Sequence, residues 1–280
     1  MPREEKLADD PERKEKLPKQ QYANFRNEET FPTFASLQGE DDINMRFYDT
    51  ADGFNYTPRK HWCFLAEIVD IEQFIRVKLI VRDVAGATVP VAFHTDDRGT
   101  EFAHSQLRPG YTIAILYAHQ HGFLDFTTGI RQEEYCGIIS TTLAELFQLS
   151  DLVHQYSTGL DIKRCHGCDE QKASLQKCSR CSIFGYCNKS CQITGWHDRG
   201  HKRDCKVIRD NDLQAMFLLD WDHFEGFVKF PLDDTTRTTG KQGVTRDVKS
   251  SKYATDEALR GMVAAEKGVR PKDLSYPPRK

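Results

Sequence analysis

The chain has 280 residues, with 39 Lys and Arg against 42 Asp and Glu and a formal net charge of −3. That length allows one or two domains, and that charge excludes a strongly polyelectrolyte protein. Hydrophobic residues make up 39%, and the longest apolar stretches, such as 112–118, fall well short of the ~20 residues that cross a bilayer. The opening MPREEKLADD alternates charges where a secretory signal carries an apolar segment of about 7 to 15 residues, so an intracellular address, nucleus or cytoplasm, is expected. Seven of the nine cysteines lie between Cys165 and Cys205, which in a reducing compartment points to metal rather than to disulfides.

Residues 1–20 hold six basic and six acidic side chains with three prolines, too little apolar surface to offset the entropy of ordering. A mostly disordered arm is predicted over 1–45, in which Phe25, Phe31 and Phe34 are free to dock on a later domain. Over 46–158 the pattern predicts an OB-like β-barrel and a helix. Phe64, Ala66 and Ile68 share a face. Val77, Leu79 and Val81 alternate with Arg76, Lys78 and Arg82, and after a turn come Val89, Val91 and Phe93. A short helical piece is predicted at 101–108, then a strand with Ile113, Ile115 and Tyr117. A run at 122–127 places Leu124 and Phe126 on one face, and a last run covers 135–139. Six runs with a helix after the third match a small antiparallel Greek-key barrel of five strands, with one strand left over.

Thr142 and Glu145 have the spacing of a capping box, and Leu143, Leu146, Phe147 and Val153 then fall on one helical face, with 157–159 as its end. A metal-binding module occupies 159–206. Leu213, Met216, Phe217 and 219–221 predict a packing helix within 207–232. The remainder, 233–280, reads as a disordered tail with eleven basic and six acidic residues from 234 onward. The fold class is therefore α+β.

Candidate ligands come in pairs: Cys165-x2-Cys168, Cys178-x2-Cys181, Cys187-x3-Cys191 and His201-x3-Cys205. Two intervening residues let a tight turn aim both thiolates at one ion, and three place donors at i and i+4 on a helical face. Seven thiolates and one imidazole are the complement of two four-coordinate zinc ions with no open position. His197 lies four residues before His201, but the spacing to Cys205 favours His201. Cys63 and Cys136 stand alone in strand-like runs and read as small apolar core residues.

In order and spacing this stretch resembles the MYND-type zinc finger, including the Tyr186-Cys187 and Cys191-Gln192 steps and Trp196 before the histidine. The resemblance implies a cross-braced pair of structural zinc sites, with Cys165, Cys168, Cys187 and Cys191 on one ion and Cys178, Cys181, His201 and Cys205 on the other. It also implies a shallow groove for a proline-containing peptide of a protein partner, formed by Ser179, Gln192 and Trp196. An indole is a flat platform for an extended chain, and a glutamine amide both donates to and accepts from its backbone. The alternative for Trp196 is an internal brace. Residues 159–210 carry eleven positive and six negative side chains, but seven thiolates and two dications bring the metal-loaded module to only about +2.

These features predict an adaptor that recruits partners through the finger, in the setting of transcriptional regulation, and not an enzyme. A SET-like or other protein-modifying enzyme with an accessory finger is one alternative; no Asn-His-Ser step, Gly-x-Ser-x-Gly or Walker loop supports it. The adjacent pairs Asp96-Asp97 and Glu133-Glu134 point apart in a strand, and His119 and His121 flank a turn. Single-stranded nucleic-acid binding by the barrel is the other alternative, with Arg76, Lys78 and Arg82 as a basic stripe and Tyr117 and Phe126 as stacking rings. Residues 22–158 carry a net charge of −9, which repels a phosphate backbone.

Overall fold

A computed structural model describes residues 22–134, 136–157 and 163–232. The first part of the predicted arm, the link at 158–159 and the tail from 233 lie outside the described residues. A single 3-10 turn (Phe34–Ser36) precedes a small hairpin of β1 (Tyr48–Thr50) and β2 (Tyr56–Pro58). The main sheet comes next: β3 (Cys63–Gln73), β4 (Val77–Asp83), β5 (Thr88–Phe93), β6 (Thr112–Leu116), β7 (His121–Gly122), β8 (Thr128–Gln132) and β9 (Gly137–Ile139), in the order β7-β8-β5-β4-β3-β6-β9. The chain is thus α+β with one large sheet.

Two expectations for this region, the helix at 101–108 and the strand run at 122–127, are corrected, and that of a small antiparallel barrel holds only in part. Among the described residues the ladder does not close, because β7 and β9 are its two ends. It is not wholly antiparallel either: β8 lies parallel to β5, with Val91 opposite Ile130. The long connection 94–111 carries β6 to the far side of β3, so the chain returns to β5 in that strand's own direction. Residues 101–108 form successive turns instead of a helix, closed where the Gln106 side chain accepts from the Ala103 N–H at 2.8 Å. Leu124 and Phe126 sit on the bend between β7 and β8 with fully exposed side chains, and Phe126 has a φ of 65°. The strand of that hairpin begins only at Thr128.

Alternation along β3 sorts its side chains onto two dry faces. Phe64, Ala66 and Ile68 turn into an inner core with Val77, Leu79, Val81, Val89, Val91, Phe93, Ile113 and Ile115. Cys63 and Leu65, with Ala114 and Ile139, turn the other way, against α1 (Leu143–Ser157) and its Leu146, Phe147 and Val153. Burial on both faces explains the unbroken apolar run at the start of β3, and each large aliphatic side chain so buried contributes about 1.5–3 kcal/mol. The capping box at the start of α1 forms: Thr142 Oγ1 accepts from Glu145 N at 3.2 Å while Glu145 Oε2 accepts from Thr142 N at 3.4 Å. Cys63 and Cys136 are both buried, and burial pushes both thiols far above their usual range.

Phe25 and Phe31 of the arm dock into the outer core beside Phe217 and Trp221. Arg76 donates to the Phe93 carbonyl and Lys78 pairs with Glu72, which ties down most of the basic stripe. Tyr117 is held by its hydroxyl between His61 and the Val228 N–H.

His119 and His121 do not converge. His121 pairs with Glu40, while His119 is half-buried and receives the Gln38 amide on Nε2 at 2.5 Å. Because Gln38 Oε1 accepts from the Asn44 N–H, the group facing the ring is a donor, which holds His119 neutral. Burial lowers the His119 pKa, with Glu40 opposing, and burial lowers that of His61 as well. The unfolded chain takes up these protons near pH 6.5, so this contribution is complete above that pH and is lost as the pH falls below it. The melting temperature should drop between pH 7 and 5. His119→Gln, which keeps an acceptor without a basic nitrogen, should flatten that slope; an unchanged slope would exclude His119 as a source.

Candidate metal centre

The finger is built from two small hairpins and two helices. β10 (Lys163–Arg164) pairs with β11 (Gln171–Lys172), and β12 (Gln176–Lys177) pairs with β13 (Gly185–Tyr186). The first hairpin carries Cys165 and Cys168 on its turn, and the second carries Cys178 and Cys181. The two turns are built alike: Asp169 and Ser182, the residues after each Cys-x2-Cys, have φ of 62° and 57° and donate back to the Cys165 and Cys178 carbonyls. α2 (Lys189–His197) is capped by Asn188, which accepts from Cys191 N at 2.9 Å and so fixes that ligand at the helix start. α3 (His201–Ile208) presents His201 and Cys205 one turn apart.

The donors gather into two groups. Cys165, Cys168, Cys187 and Cys191 form one, Cys178, Cys181, His201 and Cys205 the other, and within each the ligand atoms lie within 4.8 Å of one another. The Sγ atoms of Cys168 and Cys187 are 3.7 Å apart, those of Cys178 and Cys205 are 4.0 Å apart, and Cys181 Sγ lies 3.7 Å from His201 Nε2. A tetrahedron with Zn–S bonds of about 2.3 Å has edges of about 3.8 Å, so the residues present fit a zinc ion at each site. His197 is exposed at the end of α2 and belongs to neither group. The first site keeps Cys168 exposed and Cys187 and Cys191 half-buried, whereas all four donors of the second are buried.

The surroundings favour ionised sulfur at one position in each site. Burial raises the Cys165 thiol, but the N–H groups of Cys168, Gly167 and Cys187 outweigh it and bring the pKa down to about 7. Cys178 is lowered in the same way against the same burial cost. Burial and the neighbouring sulfurs push Cys187 and Cys205 up to about 12. Sulfurs this close, four in the first site and three in the second, hold some of their protons until a dication replaces them, so metal binding releases protons and stabilises the fold. His201 is lowered to about 4 by burial, which keeps the imidazole in its ligating form.

Other residues that shape the centre are not evident from ligand spacing. Gly167 packs so closely on α2 that a Cβ there would lie 2.3 Å from the Cys191 carbonyl oxygen; a side chain would force the first turn off the helix. His166 is buried with its ring 4.4 Å from Phe184 and 4.7 Å from Tyr156. Arg199 donates to Tyr156 Oη at 2.9 Å and to Asp169 Oδ2 at 2.6 Å, and Tyr156 donates to Asp169 Oδ1 at 2.7 Å, tying α1 to the first turn. The Arg199 and Tyr156 hydrogen bonds hold the Asp169 carboxyl at about 2. An Asp directly after a Cys-x2-Cys turn is the one sequence signal for this link.

Of the predicted peptide residues, Ser179 is exposed, while Gln192 and Trp196 are half-buried and one turn apart on α2. Trp196 stands edge-on to His201 with centroids 5.5 Å apart, and the Arg180 guanidinium lies over its ring at 5.5 Å. One edge of the indole therefore meets the metal site while a face meets a surface cation.

The MYND finger family model matches residues 165–205. Protein-lysine N-methyltransferase SMYD4 of Danio rerio is 31% identical over 81 residues, which is 29% of this chain and 10% of that protein. Histone-lysine N-methyltransferase SMYD3 of Homo sapiens is 34% identical over 64 residues, 23% of this chain and 14% of that protein. Ubiquitin carboxyl-terminal hydrolase 19 of Arabidopsis thaliana is 42% identical over 52 residues, 19% and 7% respectively. The chain thus spans about a tenth of the length of the curated relatives it matches. Among solved structures, a chain of a replication protein A heterotrimer bound to ssDNA aligns over 38% of this chain and 80% of its own, at 11% identity and a TM-score of 0.23. A chain of the S. pombe Stn1-ten1 complex aligns over 44% and 98%, at 14% identity and a TM-score of 0.24. At such scores neither likeness carries an argument about fold or ligand. Residues 165–205 are a MYND zinc finger, and its two Cys/His clusters are compatible with two zinc ions.

Proposed function

We propose that this chain is a non-enzymatic adaptor inside the cell, acting in transcriptional regulation, whose finger recruits a protein partner by seating a proline-containing peptide on Ser179, Gln192 and Trp196. The observation that carries this reading is the closure of both metal sites. Four protein donors at each position leave no coordination slot for water or substrate, so the outside of the finger is its working surface. The i, i+4 placement of Gln192 and Trp196 puts both on one face of α2, and Ser179 adjoins the arginine that covers the indole. The sheet acts as a scaffold. Its central β3-β4-β5 meander, flanked by β6 and a parallel β8, supports reading it as a partly open OB-type barrel.

The test is Trp196→Ala in the zinc-loaded chain, assayed for metal by native mass spectrometry and for binding to an array of proline-containing peptides. Two retained zinc ions with at least tenfold weaker array binding are expected. Loss of zinc would identify the indole as a brace instead. Robust turnover in a methyl-transfer assay with labelled cofactor would overturn the adaptor reading altogether.

A further inference from the structure

On the finger, α3, the start of α4 (Asn211–Leu218) and the second Cys-x2-Cys turn border an open groove of about 530 Å³, lined by Ser140, Arg180, Lys206, Arg209, Asp210, Asn211 and Gln214. The cations Arg180, Lys206 and Arg209 are exposed, and none has a carboxylate partner among the described residues. The one carboxylate present, that of Asp210, caps α4 by accepting from the Leu213 N–H on Oδ1 at 3.0 Å. Three cations against one carboxylate give the groove a local field for anions. Ser140 and Asn211 add hydroxyl and amide groups of the kind that hydrogen-bond a peptide backbone.

Arg180 links this groove to the proposed peptide seat, since the same guanidinium that lines the groove lies over Trp196. We propose that the groove takes an acidic segment of the recruited protein, continuous with the peptide on Trp196; the inference deepens the adaptor reading and rests on it for the partner's identity. An acidic peptide fits better than a nucleic acid. The adjoining residues 22–158 carry a net charge of −9, which a short acidic stretch ending in the groove avoids and a long phosphate backbone does not.

The experiment uses the full zinc-loaded chain and three fluorescent probes: deca-glutamate, deca-glutamine and a fifteen-residue oligothymidine. Deca-glutamate should bind at least tenfold tighter than deca-glutamine at low salt and lose that advantage as salt rises. The double variant Lys206→Glu, Arg209→Glu should abolish the difference while keeping two zinc ions; if it fails to keep them, Lys206→Gln, Arg209→Gln serves, with a smaller loss expected. Deca-glutamate carries no proline and reads the groove, whereas the proline-peptide array reads the seat on Trp196, so failure of the peptide seat and failure of the groove give different patterns. Equal binding of the two peptides, or an advantage that survives both double variants, would overturn the proposal. Tighter binding of the oligothymidine, lost in the same variants, would overturn it in favour of a nucleic-acid groove.

Discussion

Stripping the metal from the purified chain should melt the finger and its joint with α1 and α4 while the inner core of the sheet stays folded. A structural zinc contributes about 10–16 kcal/mol at neutral pH, as much as the whole stability of an ordinary domain, about 5–15 kcal/mol. Cys165, Cys178, Cys181 and Cys205 belong to the same buried cluster as Phe147, Phe217 and Trp221, so losing the ions removes the centre of that cluster. The inner core contains none of them. The three tryptophans report separately: Trp62 lies in the inner core, Trp221 in the joint and Trp196 on the finger. In single-tryptophan variants, chelation should red-shift Trp196 and Trp221 and leave Trp62 in place. Metal release should be biphasic, with the partly exposed first site emptying before the buried second. A simultaneous shift of Trp62 would show instead that sheet and finger unfold as one unit.

The metal centre was legible because its information is local. Two ligand pairs are turns and His201 with Cys205 is a single helical step, while Cys187 lies just before α2 and only Cys191 is on it; eight donors in four close pairs leave little else that the stretch 165–205 can be. The capping box and the buried face of α1 were legible for the same reason. What escaped depends on partners far along the chain. The run at 122–127 places Leu124 and Phe126 with the period of a strand, yet one such pair in six residues does not distinguish a strand from a hairpin tip, and the left-handed φ at Phe126 makes it a tip. Strand direction is likewise silent in a periodic pattern, so the parallel β5–β8 pair could not be read from Val91 or Ile130. Arg199 meets Tyr156 across 43 residues and Asp169 across 30, and Arg180 reaches Trp196 across two elements. No spacing rule connects such pairs.

Phe217→Ala should cost about 3–5 kcal/mol, the range for deleting a fully buried aromatic ring, and lower the melting temperature by about 6–20 °C for a chain of this size. The ring is fully buried and stacks on Phe25 at 4.5 Å and 21°; Phe25 is edge-on to Phe31 at 4.9 Å, which meets Trp221 at 4.8 Å. Removing one end of this row unseats the others. Near this row the arm is also tied by Ala23 N to the Phe217 carbonyl at 2.9 Å, Phe25 N to Ser150 Oγ at 3.0 Å and Arg26 on Asp151, and further along by Cys63 N to the Thr30 carbonyl at 2.9 Å and Lys60 on Glu29. The ion pair of Arg26 with Asp151 is half-exposed on both sides, so Arg26→Ala should cost no more than about 1 kcal/mol. The difference between the two variants isolates the aromatic row as the anchor. Trypsin should cleave after Arg26 much faster in Phe217→Ala than in the parent chain, while zinc content stays at two ions. An unchanged cleavage rate alongside the lower melting temperature would place the lost stability in α4 alone and leave the arm anchored by its hydrogen bonds.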